Sequence, residues 1–307
     1  MTSDTTVLSY WLNWRFFFCA LWILSSMALA FFLILKYEGF NRSRSERGEN
    51  QGEDAGLVYE DEAWNTCLIG IDPSWLLIYR IICFIVLLAL IIASVAADGG
   101  GIFYYYTQWT FTLVTIYFGF GSYFSLHGCS LKQKKIGSST VNGNSVDAEL
   151  GAYTRKTAGL WGYIFQIIFQ TCAGAVVLTD SVFWFIIYPL LTSKDYSLDF
   201  LIFCMHSINV LFLLGDTSLN CMRFPMFRFA YFVLWTAIFV IFQWIIHACV
   251  SIWWPYPFLD LSSPYAPLWY LAVALMHFPC YGIFALIVRM KHSWLSRSFP
   301  GSSLFER

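Results

Sequence analysis

Residues 75–97 read WLLIYRIICFIVLLALIIASVAA, a run whose only charge is Arg80, close to its start. A hydrocarbon core about 30 Å thick is crossed by a helix of about 20 apolar residues, so this stretch has the length and composition of a membrane span. Six more runs of the same kind occur: Phe16 to Leu35, Ile102 to Leu126, Thr157 to Asp180, Phe200 to Cys221 (with Asp216 near its end), Phe229 to Trp254 and Tyr265 to Val288. Of the 307 residues, 58% are hydrophobic and 12% charged, about half the charged share of a soluble domain. The expected fold is all-α: a multi-pass transmembrane helical bundle of about seven spans in a single membrane domain. The first run is too long for a secretory signal and reads as a retained span.

Two connections differ in character. Lys36 to Glu62 is dense in Arg, Glu, Gly and Asn, and Leu131 to Lys156 in Ser, Gly, Asn and Lys. Both read as flexible loops. Cytoplasmic loops collect Lys and Arg. With seven spans, all but Arg15 and Lys194 of the 18 basic residues fall on one side. That bias puts the N-terminus in the lumen or outside and the C-terminus in the cytoplasm, with both loops cytoplasmic. Splitting the stretch from Thr157 to Leu191 into two spans would destroy it. The apolar residues after Asp180 are then expected to form a tilted helix end or an interfacial segment.

A net charge of −1, with cations scattered through short loops, gives no face for nucleic acid. The nine cysteines lie mostly in apolar runs and behave as small hydrophobes rather than as a disulfide framework. No CxxC or HExxH spacing occurs, so neither a metal site nor a cofactor is expected.

What remains to be read is the depth of polar groups, which are costly in hydrocarbon. At 1.5 Å per residue, Thr110 lies about 12 Å below the lumenal surface, His206 about 9 Å and His247 about 10 Å. Asp180 falls near the same level, and His277 about midway along the last span. A polar pocket facing the lumen follows if these side chains point inward. Each also has an ordinary role open to it: a threonine bonds its own i−4 carbonyl, and histidines join helices. The run Trp253 to Asp260, with its prolines, is either an aromatic belt at the interface or a lid over the pocket.

Several short motifs occur in a characteristic order: Gln108-Trp109-Thr110-Phe111, Val182-Phe183-Trp184, Asp195 to Ser207 ending in Met205-His206-Ser207, and Trp254 to Asp260. Together they resemble the androgen-induced membrane protein family, whose animal members are threonine hydrolases of fatty acid esters of hydroxy fatty acids. The Ser-Ser-Pro-Tyr-Ala-Pro run is closest to a plant branch. The likeness covers about Tyr104 to His292, and the first two spans have no animal counterpart. It implies Thr110 as nucleophile, with Thr112 as a rival, and His206 as base. Asp180, His247 and Asp260 are candidates for orienting the base or lining the pocket. The implied partner is a membrane lipid ester. The alternatives are a non-enzymatic multi-pass protein and an electron carrier with haem held by His206 and His247. Endoplasmic reticulum and plasma membrane are both open as the location.

Overall fold

The computed structural model describes residues 4–39, 57–141, 156–191 and 198–302. Among these the regular structure is helical, with two isolated bridges, Tyr59 with Thr157 and Thr66 with Asn220, as the extended pairings. After a one-turn helix, Leu8–Trp11, come α1 (Trp14–Ile34), α2 (Pro73–Asp98), α3 (Tyr106–Val141), α4 (Leu160–Val182), α5 (Phe200–Met205), α6 (Ile208–Leu219), α7 (Phe229–Cys249) and α8 (Ala266–Ser298). Helix α2 shows how sequence fixes such an element. Asp72 caps it by accepting from the Ser74 N–H, and Pro73 sits at its first position. The apolar run carries it across, and Gly99 ends it at φ 71°.

Six helical stretches are long and apolar enough to cross a membrane: Trp14–Glu38, Pro73–Tyr104, Leu160–Pro189, Phe200–Leu219, Met226–Cys249 and Ala266–Ser298. The seventh expected span falls on α3, which is long but carries Thr107, Gln108, Thr110, Thr112, Thr115, Ser122 and Ser125. Contacts at its two ends show that α3 runs the length of the bundle. Tyr105 packs on Trp253 and Tyr256 at one end, and Lys132 pairs with Asp72 at the other. The first end also holds Tyr10, whose hydroxyl donates to Asp260 and accepts from Trp254 Nε1. The second holds the C-terminal residues, where Ile69 N–H donates to the Ser302 carbonyl. Tyr10 and Ser302, near the two ends of the described residues, therefore lie at opposite ends of the bundle.

Several expected boundaries move. Helix α7 stops at Cys249 instead of Trp254, and Val250 is extended. Residues preceding Pro255 and Pro257 are biased away from helix. The apolar stretch after Asp180 continues α4 as a widened π turn over Phe183–Leu191. The expected loop from Leu131 begins as helix, because α3 runs to Val141. The end of the other loop is folded too: Glu60 N–H bonds the Lys156 carbonyl and Glu62 is buried beside Arg223. Residues 40–56 and 142–155 of these loops lie outside the described residues.

The core is aromatic. Tyr117 stacks on Phe165 with ring centres 5.0 Å apart and planes 7° from parallel. Buried charge is concentrated toward the second end, where Arg80 pairs with Asp216 at 2.7 Å and Arg228 with Glu38 at 2.8 Å.

Candidate functional site

The expected single span over residues 200–221 is broken. Helix α5 ends at Met205, Ser207 leaves helical geometry at φ −145° and ψ −41°, and α6 begins at Ile208. Non-helical backbone at membrane depth persists only where protein or a cavity satisfies it. Here Trp184 Nε1 donates to the His206 carbonyl at 2.8 Å. The His206 ring lies flat on Phe183, with centres 3.7 Å apart and planes 2° from parallel. The widened turn after α4 supplies both Phe183 and Trp184, so its irregularity seats the histidine.

The carboxylate of Asp180, on α4, lies 3.9 Å from His206 Nδ1, near but outside hydrogen-bond distance. Among the described residues, neither Asp180 oxygen has a hydrogen-bond partner, and neither does His206 Nδ1. Asn209, one turn beyond the break and fully buried, directs its amide toward Asp180, yet its Nδ2 is also unmatched. Native interiors pair nearly all buried polar atoms. Asp180, His206 and Asn209 thus face one another with buried polar atoms that make no standard hydrogen bond among the described residues.

His206 opens onto a cavity of about 60 Å³ whose wall includes Thr179, Tyr106, Thr107, Thr236 and Tyr256. Thr115, Thr179 and Thr217 donate to their own i−4 carbonyls. Thr110 does not. Its hydroxyl, fully buried, faces Thr179 Oγ1 at 3.5 Å and the Tyr106 phenol. No hydrogen bond joins Thr110 to His206 among the described residues. The rival Thr112 is partly buried, with an unmatched hydroxyl.

Of the other candidates, His247 does not line this cavity. Its Nδ1 bonds the Gln243 carbonyl at 2.7 Å and its ring stacks on Trp254. Asp260 is occupied by Tyr10 and by the backbone and hydroxyl of Ser262. It ties the N-terminal residues to the connection between α7 and α8. The run from Trp253 to Asp260 is part belt and part cover, since Tyr256 and Phe258 line the cavity while Trp253 is exposed. The structure thus groups Asp180 with His206, sets Thr110 against the neighbouring Thr179, and leaves His247 and Asp260 in supporting positions.

Reading the sequence by depth missed Asn209 and a second polar cluster. His277 Nε2 lies 2.8 Å from Thr236 Oγ1, as does the Tyr106 hydroxyl. Counting from the helix ends at the first end of the bundle, Thr236 lies 13 residues from Cys249 and His277 lies 11 from Ala266. The same depth arithmetic would have paired them.

Comparison with protein-family models, with curated proteins and with solved structures finds no match. Fold and site together define a class: a multi-pass helical membrane protein with an uncommitted carboxylate and imidazole buried at a helix break.

Proposed function

We propose that this protein is an intramembrane hydrolase of lipid esters, with Thr110 as nucleophile and His206 as base. The observation that carries the reading is the buried, unpaired Asp180 and His206 at a broken helix, beside a threonine-lined apolar cavity. His277 has both ring nitrogens hydrogen-bonded, whereas His206 Nδ1, beside the Asp180 carboxylate, does not; His247 Nε2 is also unmatched but faces no carboxylate in this cavity.

In this scheme Thr110 turns from Thr179 toward the imidazole. Its oxygen attacks the ester carbonyl while its proton passes to His206. The carbonyl bond to the alcohol then breaks, the departing alkoxide takes that proton, and an acyl-threonine remains. Water, deprotonated by His206, releases the acid and restores Thr110. An imidazolium is costly in an apolar interior, and the Asp180 carboxylate offsets that cost as the third member of a triad does. Asn209, its amide directed toward Asp180, helps to hold that carboxylate beside the imidazole. If the basic end faces the cytoplasm, the site acts in the lumenal leaflet.

The test is hydrolysis of a long-chain lipid ester by purified protein in bilayer discs. Thr110→Ala and His206→Ala are each expected to lower kcat by about a thousandfold or more, with the double variant no worse than either single one. Full activity in Thr110→Ala would transfer the role to Thr112. Full activity in both threonine variants would end the threonine-hydrolase reading.

A further inference from the structure

Between α1, α7 and α8 lies a second cavity, about 300 Å³, whose wall is almost wholly apolar. Small residues create it: Ala30 on α1, Ala237 on α7 and Ala274 on α8 stand where larger side chains would close the helix contacts. It reaches the side of the bundle, where Leu29, Leu275 and Phe278 are more than half exposed. Thr236, Val240, Phe258, Leu259 and Val273 line both this cavity and the one that holds His206.

At the inner end stand Thr236 and His277, and the hydrogen bonds there have one consistent direction. The His277 Nδ1 contact is to the Val273 carbonyl at 2.7 Å, and a carbonyl can only accept, so Nδ1 carries the ring proton. The neutral ring is then bare at Nε2 and accepts from the Thr236 hydroxyl at 2.8 Å. Thr236 in turn accepts from the Tyr106 phenol at 2.8 Å, with a longer 3.3 Å contact to the Phe232 carbonyl. Every proton of the cluster is committed, and what it can still offer a ligand is oxygen lone pairs. Such an end welcomes a hydrogen-bond donor and gives nothing to an ester carbonyl.

We propose that this lateral cavity binds a single-chain lipid bearing a hydroxyl, its chain between α1, α7 and α8 and its hydroxyl donating to the Thr236 oxygen. The apolar slot, opening sideways, admits a chain directly from the hydrocarbon, where no aqueous ligand competes. The wall shared with the His206 cavity makes the bound species the alcohol half of an ester. That last step rests on the function proposed above, whereas the binding does not.

The test uses a long-chain fatty alcohol carrying a photoreactive diazirine in its chain, with its methyl ether as the matched probe lacking the donor. Both are applied to the full-length protein in bilayer discs, as wild type and as His206→Ala, and crosslinks are mapped by mass spectrometry. The alcohol is expected to label cavity residues of α1, α7 and α8 about five- to tenfold more than the ether does, the worth of one hydrogen bond. Untagged alcohol should compete on the wild-type protein, Ala274→Phe should abolish labelling, and Thr236→Val should reduce the alcohol to the level of the ether. Equal labelling by the two probes, or labelling that survives Ala274→Phe, overturns the proposal. Loss of hydrolysis with labelling intact in His206→Ala separates the two claims: the cavity stands even if the ester is never cleaved.

Discussion

Removing the carboxylate of Asp216 tests whether the buried ion pair holds the second end of the bundle. Arg80 and Asp216 are both fully buried. Arg80 Nε donates to Asp216 at 2.7 Å and its Nη2 at 3.4 Å, while Nη1 reaches the Ala63 carbonyl at 2.6 Å and Ser125 at 2.9 Å. The carboxylate also accepts from Tyr117 and, at 2.8 Å, from Asn220. One side chain thus gathers α2, α3 and α6, and through Arg80 it holds the turn at Ala63. Asp216→Ala strands a guanidinium in the interior, which costs about 3–5 kcal/mol. It also leaves the Tyr117 and Asn220 donors unmatched, at about 1–3 kcal/mol each if no water enters. These losses share a network and do not simply add, so about 3–5 kcal/mol is the firm part. The double variant Arg80→Met with Asp216→Leu removes the stranded charge together with its partner and is expected to recover most of the loss. The assay is equilibrium unfolding in mixed micelles by denaturing detergent, followed by tryptophan fluorescence. A loss below about 1 kcal/mol in Asp216→Ala would mean that Arg80 is solvated or otherwise paired. A double variant less stable than the single would mean that the pair itself, and not the avoidance of a lone charge, supplies the stability.

Two further predictions concern the same end. A Cβ on Gly128 would lie 2.1 Å from the Trp64 ring, so Gly128→Ala is expected to cost about 1–3 kcal/mol by overpacking, read in the same unfolding assay; an unchanged midpoint would show that the turn carrying Trp64 shifts freely. Cys67 lies outside the spans, and its thiol is held below its ordinary value by the Cys221 thiol first, then by His292 and Lys291, against the opposing effect of burial. A depressed acid stabilises the fold fully above its ordinary value and loses that contribution as pH falls through the folded one. The stability gap between wild type and Cys67→Ala should therefore narrow as the pH is lowered from about 8, just under the ordinary thiol value, and a constant gap would refute the assignment.

Depth along a helix was legible in the sequence because it needs only the 1.5 Å rise and a boundary between apolar and polar residues. That is why the spans were found, and why Asp180, His206 and Thr110 were assigned to one layer. Rotation about the helix axis was not legible. An amphipathic soluble helix reveals its inward side by its polar face, but α3 buries Phe111, Val114, Tyr117 and Phe118 together with Thr110 and Ser125, so nothing in its pattern marks a direction. Depth alone could not tell that Thr110 faces Thr179 of α4 instead of bonding His206, nor that His247 turns to Gln243 and Trp254. The break at Ser207 was hidden for a related reason, since Phe200 to Leu219 is long and apolar enough to read as one span. Only an interior that satisfies the freed carbonyl, here through Trp184, permits the interruption. The irregular backbone and the uncommitted polar groups occupy the same few residues, 180 to 184 and 206 to 209. Helical regularity in hydrocarbon is strongly favoured, so its loss beside unpaired ionisable groups needs a cause beyond packing. The proposed role of His206 would supply one, because a base must present a nitrogen that the fold has not already bonded.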